Sequence, residues 1–389
     1  MKNRTTLGQD KIYFPNLDAI RFIAAFMVYL SHGFTKSFDF LPIENTFFER
    51  FLYTICAGAT GVSIFFVLSG FLITYLLITE YELNLTISIK KFYIRRFLRI
   101  WPLYFALIAF TFILYPFLKS FFGANTPMNA NILYHLVFLS NFDLVNTLSY
   151  HPGGNFMSQD INWSVAVEEQ FYLFWPLLFA FLPPRFWIYS IVFIIGISIT
   201  FRIINYDQRI VLLYHTLSVL VDLGIGGLFA YLIKKHHKIR IFFEKSSTLT
   251  HTILFAFSFN LLLWRDVLFP FKYGAAIAPI FFSFSFALII SAQAITKSES
   301  IFNLRNLIFA SKWGKYTYGI YLIHPIPLTI ITIFANYLHF PLTNFIATFL
   351  YGLIGLILTL FLSKISYVFF ESKFLKLKDK YAIIKTNNP

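Results

Sequence analysis

The chain has 389 residues, of which 58% are hydrophobic and only 13% charged, and it carries a net charge of +14. Soluble domains contain about a quarter charged residues, so this composition excludes an ordinary soluble protein and indicates a membrane protein. The positive charge does not indicate nucleic-acid binding, because the basic residues lie between apolar stretches, where the positive-inside rule places them.

Apolar stretches long enough to cross a bilayer recur from one end of the chain to the other. A transmembrane helix needs about 20 such residues, whereas strands of a membrane barrel alternate apolar and polar residues, a pattern absent here. The first stretch lacks a small-residue cleavage site, so we expect it to remain as the first helix. We predict an all-α, polytopic transmembrane helical bundle of about ten spans, at residues 17–34, 58–79, 100–120, 163–183, 186–204, 210–233, 248–264, 272–293, 315–338 and 341–363.

Basic residues between these spans favour one side of the membrane, and the other side carries few, among them Arg202. The positive-inside rule then predicts that both termini are cytoplasmic. No repeat and no appended soluble domain is evident, so residues 1–389 are predicted to form one integral membrane domain, with a core at 17–370 and a short cytoplasmic tail at 371–389. The basic residues assigned to the cytoplasm begin with Lys2, Arg4, Lys11, Lys90, Lys91, Arg95, Arg96, Arg99 and Arg185, and continue in the segments 234–245, 297–315 and beyond 363.

The first span contains RFIAAFMVYLSH, with an arginine and a histidine at its two ends. An ionisable group at bilayer depth costs about 2.5 to 3.5 kcal/mol on insertion scales, so such groups usually face a cavity or a partner. The steps from Arg21 to His32 add up to nearly whole helical turns, so both side chains project from one face, about 16 Å apart along the axis. Two simpler interpretations stay open: Arg21 forms an ion pair with Asp18, and His32 lies in the outer interface or bonds between helices.

The fourth span begins NWSVAVEEQFYLFWP, with two adjacent carboxylates, Glu168 and Glu169, near its outer end. Adjacent helical residues point about 100° apart, so the two carboxylates face different directions. Glu168 lies at a depth similar to that of His32, and a carboxylate there would orient the imidazole and stabilise its protonated form, as a catalytic base requires. The alternative is an ordinary helix-packing contact.

The segment KKFYIRRFLRIWP places five cations before the third span, and Arg95 and Arg99 share one helical face. Arginine forks suit phosphate oxygens, so these two with Arg96 form a candidate dock for a polyphosphorylated donor. The alternative is topogenic charge beside anionic lipid. In the ninth span, YTYGIYLIHP, Tyr321 and His324 are one turn apart and are predicted to line the site.

Three other features are assigned no chemistry. The longest outer segment, 121–162, contains the apolar patch NILYHLVFLSNF, which is too short to span and is expected to be re-entrant or interfacial, as a lid over a site. The stretch GVSIFFVLSGFLIT offers small residues, among them Gly70, for close helix packing. Asp222 is an intramembrane charge without an assigned partner.

Five stretches of this chain match a known family in the family's order: LDAIRFIAAFMVYLSHG, GVSIFFVLSGFLIT, FYIRRFLRIWPLY, NWSVAVEEQFYLFWP and YGIYLIHP. They extend from residue 17 to residue 326, and the first has the spacing R-x10-H. With them the chain resembles the acyltransferase type 3 family of membrane-bound O-acyltransferases. Members of that family modify surface polysaccharides, lipopolysaccharide, peptidoglycan and small molecules.

The resemblance implies a ten-helix, multi-pass domain of a bacterial cytoplasmic (inner) membrane. It would take an acyl group, commonly acetyl, from acetyl-CoA or another acyl-CoA in the cytoplasm and deliver it to a hydroxyl of an extracytoplasmic glycan or glycolipid. The family often carries a C-terminal hydrolase-like domain, whereas this chain ends KFLKLKDKYAIIKTNNP, so we expect this domain or another protein to complete the transfer. The resemblance assigns catalysis to His32 with Glu168, and substrate binding to Arg21, Arg95, Arg96, Arg99, Ser164 and Tyr172.

In the predicted mechanism a thioester arm lies between Arg21 and His32, and the donor phosphates stay on the arginines below. His32, supported by Glu168, removes the proton of the acceptor hydroxyl, or His32 is itself acylated and passes the group on. Ser37 stands where an H-x4-D acyltransferase box would need its aspartate, so the glycerolipid mechanism is not assigned. We expect no metal, and the single cysteine, Cys56, excludes a disulfide or a cysteine-cluster metal site.

Two other functions are compatible with the intramembrane charges. A transporter, or a flippase for lipids or glycans, would use them as a proton relay or an anion path, but we predict neither repeat halves nor broken spans. A structural subunit of a glycan assembly complex is the non-catalytic alternative.

Overall fold

The computed structural model describes residues 13–41, 47–121, 130–150, 158–297 and 300–383. These ranges contain helices and no β-strand, which confirms the all-α prediction for this part of the chain. The predicted cytoplasmic residues Lys2, Arg4 and Lys11 lie outside the described residues, as do the end of the predicted tail and parts of the segment 121–162.

The α-helices of the described residues are numbered in chain order. The first eight are α1 (Pro15–Phe38), α2 (Phe47–Ile55), α3 (Gly58–Asn84), α4 (Ile89–Ala109), α5 (Tyr115–Phe121), α6 (Ile132–Leu136), α7 (Ser140–Tyr150) and α8 (Asn162–Phe181). The next six are α9 (Trp187–Ile204), α10 (Arg209–Tyr214), α11 (Thr216–Lys235), α12 (His237–Glu244), α13 (Thr248–Leu263) and α14 (Arg265–Leu268). The last six are α15 (Gly274–Ile295), α16 (Ile308–Trp313), α17 (Thr317–Ile323), α18 (Pro325–Tyr337), α19 (Phe345–Ser366) and α20 (Ser372–Asp379).

Seven helical runs among the described residues are long and apolar enough to cross a membrane, or up to nine if each of two bent pairs is one span. The helix α8 is not among them, because three adjacent polar residues, Glu168, Glu169 and Gln170, interrupt its apolar sequence. By this criterion the structure supports an integral membrane bundle but does not reach the predicted ten spans.

Two helix pairs among the described residues are bent, one just before the predicted span 248–264 and one inside the predicted span 315–338. The helices α12 and α13 meet at 97°, and the run from Ile308 to Ile323 meets α18 at 47°. The second break lies at His324 and Pro325, where proline removes a backbone donor and clashes with the preceding turn. The prediction that the chain has no broken span is therefore wrong, and one argument against a transporter is lost.

The third span begins earlier than predicted. Its helix starts at Ile89 rather than at residue 100, and a π-helical segment, Phe110–Leu114, joins α4 to α5. The arginine cluster is consequently helical and belongs to the same rigid rod as the span itself. This arrangement fixes the directions of the arginine side chains relative to the bundle.

Small residues let the central helices pack backbone against backbone. A methyl group added at Gly70 of α3 would come within 1.9 Å of the Leu223 carbonyl oxygen on α11. The reciprocal addition at Gly226 would come within 2.0 Å of the Val67 carbonyl oxygen. The predicted packing role of the stretch GVSIFFVLSGFLIT is confirmed at this crossing, which holds α3 against α11 at the centre of the bundle.

The patch NILYHLVFLSNF forms the short helix α6 and the start of α7. The backbone of α6 contacts the bundle where the Tyr104 hydroxyl donates a hydrogen bond of 2.8 Å to the His135 carbonyl oxygen. Leu133 and Val137 of this patch are exposed. The patch does not span, as expected, and its role as a lid stays a prediction.

The last helical run does not stop at the predicted boundary between core and tail. A π-helical segment, Tyr367–Glu371, joins α19 to α20, so the run extends from Phe345 to Asp379. At 1.5 Å per residue such a run is about 50 Å long, which exceeds a hydrocarbon core of about 30 Å. Part of it therefore extends beyond the bilayer, and Tyr13 and Ala382 line one cavity at the same end of the bundle.

Candidate functional site

A cavity of about 300 Å³ lies between α1, α3, α4, α8, α17 and α20. One end includes the exposed side chains of Tyr13, Arg99 and Asp379, and the other end is buried at Ser164 and Tyr321. All but two of the predicted site residues line it. The predicted residues in its wall are Arg21, Arg95, Arg96, Arg99, Ser164, Glu168, Tyr172 and Tyr321.

Two arginines at the exposed end have acidic partners. Arg21 forms an ion pair with Asp18, as the simpler interpretation of the sequence anticipated. The Tyr13 hydroxyl donates to the same carboxylate at 2.7 Å, and burial together with this bond raises the pKa of Tyr13 to about 12. Arg95 lies 3.4 Å from a carboxylate oxygen of Glu80, a residue with 2% exposure. These arginines are therefore partly neutralised.

Arg96 and Arg99 lack such neutralisation among the described residues. The Arg96 guanidinium lies over the rings of Phe92 and Tyr172, 5.5 and 5.2 Å from their centroids. Its Nε atom is buried and has no hydrogen-bond partner in the described chain. Arg99 is exposed at the cavity mouth and makes no ion pair within the same residues. A buried donor without a partner costs free energy, and a bound anion would supply the missing acceptor. This end of the cavity is therefore suited to an anion.

A hydrogen-bonded network crosses the middle of the cavity. The Tyr172 hydroxyl donates to Glu168, and the Ser69 hydroxyl lies 2.6 Å from the Tyr172 oxygen. The adjacent residue, Glu169, points away from the cavity and accepts a hydrogen bond of 2.8 Å from the Trp101 indole nitrogen. The divergence predicted for the two carboxylates is therefore observed, and Glu168 is the one that faces the cavity.

The buried end of the cavity is closed by a short contact that we call the neck. It consists of the Ser164 and Tyr321 hydroxyls, whose oxygens are 2.5 Å apart, and of the Phe65 ring, 5.7 Å from the Tyr321 ring centroid. Ser164 stands on α8 and Tyr321 on α17. The sequence predicted both as lining residues, and the structure places them in direct contact.

His324 lies one turn beyond the neck, with 1% exposure. Its Nδ1 atom is 2.8 Å from the Tyr321 carbonyl oxygen and 3.2 Å from that of Ile320. Carbonyl oxygens only accept, so Nδ1 carries the proton and Nε2 carries the lone pair. Nε2 is buried without a partner in the described chain. His324 therefore presents an unsatisfied proton acceptor inside the bundle.

His32 is the neighbour of His324, with ring centroids 5.2 Å apart. Its side chain is exposed at the surface of the described bundle. The contacts described for Glu168 are with Tyr172, and neither histidine lines the cavity. The predicted pairing of His32 with Glu168 stays a prediction.

The sequence interpretation missed the part of the cavity wall that follows residue 366. Tyr367, Glu371, Leu375, Lys378 and Ala382 line the cavity. Their spacing of four, four, three and four residues is that of a single helical stripe, which the sequence contained but the assignment to a tail overlooked.

Two charges outside the cavity have structural partners. The Ser283 hydroxyl donates to Asp222, whose partner the sequence left unassigned. Arg202, counted among the outer basic residues, has 3% exposure and donates to carbonyl oxygens that include those of Ala275 and Ala276. No metal-binding group of three or more histidine, cysteine, aspartate or glutamate side chains occurs within the described ranges, and the absence of a metal stays a prediction.

Comparisons with known proteins identify a family. The model of an acyltransferase domain, type 3, matches residues 14–367. The peptidoglycan O-acetyltransferase OatA of Listeria monocytogenes is 33% identical over 175 residues, which are 44% of this chain and 25% of that protein. A putative O-acetyltransferase of Staphylococcus aureus is 31% identical over 167 residues, or 43% of this chain and 24% of that protein.

An uncharacterized protein of Haemophilus influenzae is 36% identical over 148 residues, which are 36% of this chain and 57% of that protein. The aligned parts span about a quarter of the length of the two O-acetyltransferases. No solved structure matches the chain. Because the family match extends over residues 14–367 and includes every element that forms the cavity except α20, the chain belongs to the acyltransferase type 3 family.

Proposed function

We propose that the protein is a membrane O-acyltransferase that moves an acyl group, with acetyl as the first choice, from a cytoplasmic acyl-CoA to a hydroxyl of an extracytoplasmic glycan or glycolipid. The observation that carries this proposal is the Arg96 Nε, unpartnered among the described residues, in a cavity whose buried end includes Tyr321, one helical turn before His324, the neighbour of His32. The names of the related O-acetyltransferases support acetyl as the group, and the name of one supports peptidoglycan as an acceptor to test first.

The donor would bind with its phosphates at Arg96 and Arg99. Guanidinium forks bind phosphate oxygens bidentately, and the Nε of Arg96 has no acceptor within the described part of the chain. The apolar wall provided by α3, which includes Val62, Phe66 and Ile73, would accept the thioester arm. The donor would then point its acyl group toward the neck.

The chemistry would take place beyond the neck, at His32. As a base, His32 takes the proton of the acceptor hydroxyl, the oxygen attacks the thioester carbonyl, and the carbon–sulfur bond breaks as the thiolate leaves and is protonated. As a carrier, a ring nitrogen of His32 attacks the thioester carbonyl first, and the carbon–sulfur bond breaks as the thiolate leaves and takes the proton released by the ring. The acceptor oxygen then attacks the acylated ring, the carbon–nitrogen bond breaks, and the hydroxyl proton returns to the imidazole. Glu168 would stabilise charge in the cavity through Tyr172.

The test uses purified protein in nanodiscs, acetyl-CoA and a peptidoglycan fragment, with release of the CoA thiol and acetylation of the fragment measured together. We expect His32→Ala to lose both products while keeping its insertion and melting temperature. His237→Ala, at an exposed position of α12, is the matched control and should keep both. Transfer by His32→Ala at the wild-type rate would refute the role of His32.

The two broken spans favour a transporter or flippase as the second candidate function, because transporters use broken helices at their binding sites. The same nanodisc preparation separates the two candidates. A wild-type protein that neither binds nor consumes acetyl-CoA, but moves a labelled glycolipid across vesicle membranes, would replace the first candidate by the second.

A further inference from the structure

The C-terminal helix closes one side of the cavity although it lies beyond the family match. That match ends at residue 367, whereas α20 and the residues around it contribute Glu371, Leu375, Lys378 and Ala382 to the wall. The helix is tied to the arginine helix, because an Nη atom of Arg95 donates to the Tyr381 carbonyl oxygen at 3.1 Å. The cavity is therefore completed by a segment that the family pattern does not cover.

Lys378 differs from the other lysines of this segment in its burial. Its relative exposure is 9%, whereas Lys373, Lys376 and Lys380 are exposed. Its ammonium group lies 3.8 Å from an oxygen of Asp379, whose side chain is 63% exposed to solvent. An exposed carboxylate at that distance compensates a buried ammonium only weakly. Lys378 thus lies on the cavity side of α20 with incomplete neutralisation.

Besides Asp379, the charges that act on Lys378 are of its own sign. The guanidinium groups of Arg95, Arg96 and Arg99 all repel its ammonium. Arg95 is the one with an acidic partner, Glu80. The other carboxylate on this wall, Glu371, accepts a bond of 2.8 Å from the Ser366 hydroxyl. Gathering like charges at a buried surface costs free energy unless an anion occupies the space between them.

We propose that Lys378 binds a phosphate group of the donor, so that the C-terminal helix makes the site selective for a phosphorylated donor over a bare thioester arm. This inference rests on the proposed function, since the donor is an acyl-CoA. A lysine supplies a compact point charge on a flexible stem, which complements the planar forks of Arg96 and Arg99 around a group with several anionic oxygens.

The test compares two donors that share one thioester arm. Acetyl-CoA carries the phosphates, and S-acetylpantetheine carries none of them. We expect Lys378→Met to raise the KM for acetyl-CoA about tenfold, the value for one lost bond to a charged group, with kcat unchanged and with no change for S-acetylpantetheine. Lys376→Met, at an exposed position of the same helix, should leave both donors unchanged.

Each outcome is decisive. A wild-type protein that consumes neither thioester overturns the proposed function. A wild-type KM for acetyl-CoA in Lys378→Met overturns only the role of Lys378. An equal rise for both donors also overturns it, because Lys378 would then support the helix instead of binding phosphate. If Lys378→Met does not fold, Lys378→Arg decides: selectivity for acetyl-CoA within about threefold of wild type supports the proposal, and its loss contradicts it.

Discussion

Arg96 and Arg202 are both arginines within apolar helices, and their surroundings differ in one respect. Arg202 donates hydrogen bonds to other residues of the bundle. Its Nε donates to the Ala276 carbonyl oxygen at 2.7 Å, and an Nη donates to the Ser218 hydroxyl at 2.7 Å. Arg96 lies between two aromatic rings with its Nε unused. Burial of a charge therefore does not identify a binding site, and Arg96 differs from Arg202 in that it lines the cavity with a buried donor that has no acceptor among the described residues.

The largest effect expected from this comparison concerns stability. Replacing Arg202 by Met removes its hydrogen bonds to four carbonyl oxygens and to the Ser218 hydroxyl, and a hydrogen bond to a charged group contributes about 1.5 to 3 kcal/mol. We expect Arg202→Met to lower the free energy of unfolding by about 3 kcal/mol, with transfer per folded molecule retained. Thermal unfolding in detergent measures the loss, and Arg209→Met, at an exposed position, is the control. Normal stability of Arg202→Met would show that the hydrogen bonds of Arg202 do not stabilise the bundle.

Arg96→Met should show the opposite pattern. The Nε donor lost by this change has no partner among the described residues, so we expect an unchanged melting temperature and a rise of about 30-fold in the KM for acetyl-CoA. Steady-state kinetics at fixed acceptor concentration measures the rise, and Arg185→Met, also exposed, is the control. An unfolded Arg96→Met protein would show that the two arginines have the same structural role.

Arg96→Lys separates the effect of the charge from that of the guanidinium geometry, because it keeps the positive charge and removes the planar fork. A point charge still attracts phosphate, so the loss should be smaller than for methionine. We expect the KM for acetyl-CoA to rise about fivefold. A KM equal to that of Arg96→Met would mean that the fork alone, and not the charge, binds the donor.

Arg21 lies between these two cases, because it has one acidic partner, Asp18. Asp18 also accepts from Tyr13, whose pKa is raised to about 12 by burial and by this bond. The smallest expected effect concerns this tyrosine. Tyrosine in the unfolded chain loses its proton near pH 10, so the stability that Tyr13 contributes is complete below pH 10 and is lost as the pH rises to about 12.

Tyr13→Phe should remove this part of the pH dependence and change stability at pH 8 by only about 0.5 kcal/mol. Melting temperatures of the two proteins between pH 8 and pH 11.5 measure the difference. Parallel curves over the whole range would exclude the contribution of Tyr13.

The parts of this structure that depend on neighbouring positions in one helix were predictable. The Arg21–Asp18 pair and the divergence of Glu168 and Glu169 follow from helical geometry alone. The long apolar stretches likewise predicted most helices. The stretch 163–183 was likewise predicted as a span and forms the helix α8, although its polar triplet keeps it out of the helices apolar enough to cross a membrane.

Contacts between distant segments were not predictable, because periodicity gives the face of a helix but not the helix that it meets. Ser164 and Tyr321 are 157 positions apart, and the contact of His32 with His324 joins the first helix to the residue between α17 and α18. The residues of α20 that line the cavity have helical spacing, which the sequence shows. Because the lysines of this segment were interpreted as topogenic charge, the spacing was not recognised as part of a site.

The neck has a consequence for the cell that holds this protein. Polar side chains extend through much of the bundle, and a continuous file of water along them would let protons cross and dissipate the ion gradient. The hydroxyl pair of Ser164 and Tyr321, backed by Phe65, interrupts that file with one short bond and an aromatic plug. Under the proposed function, the acyl group has to pass this constriction, which favours a group as small as acetyl and keeps the membrane impermeable to ions.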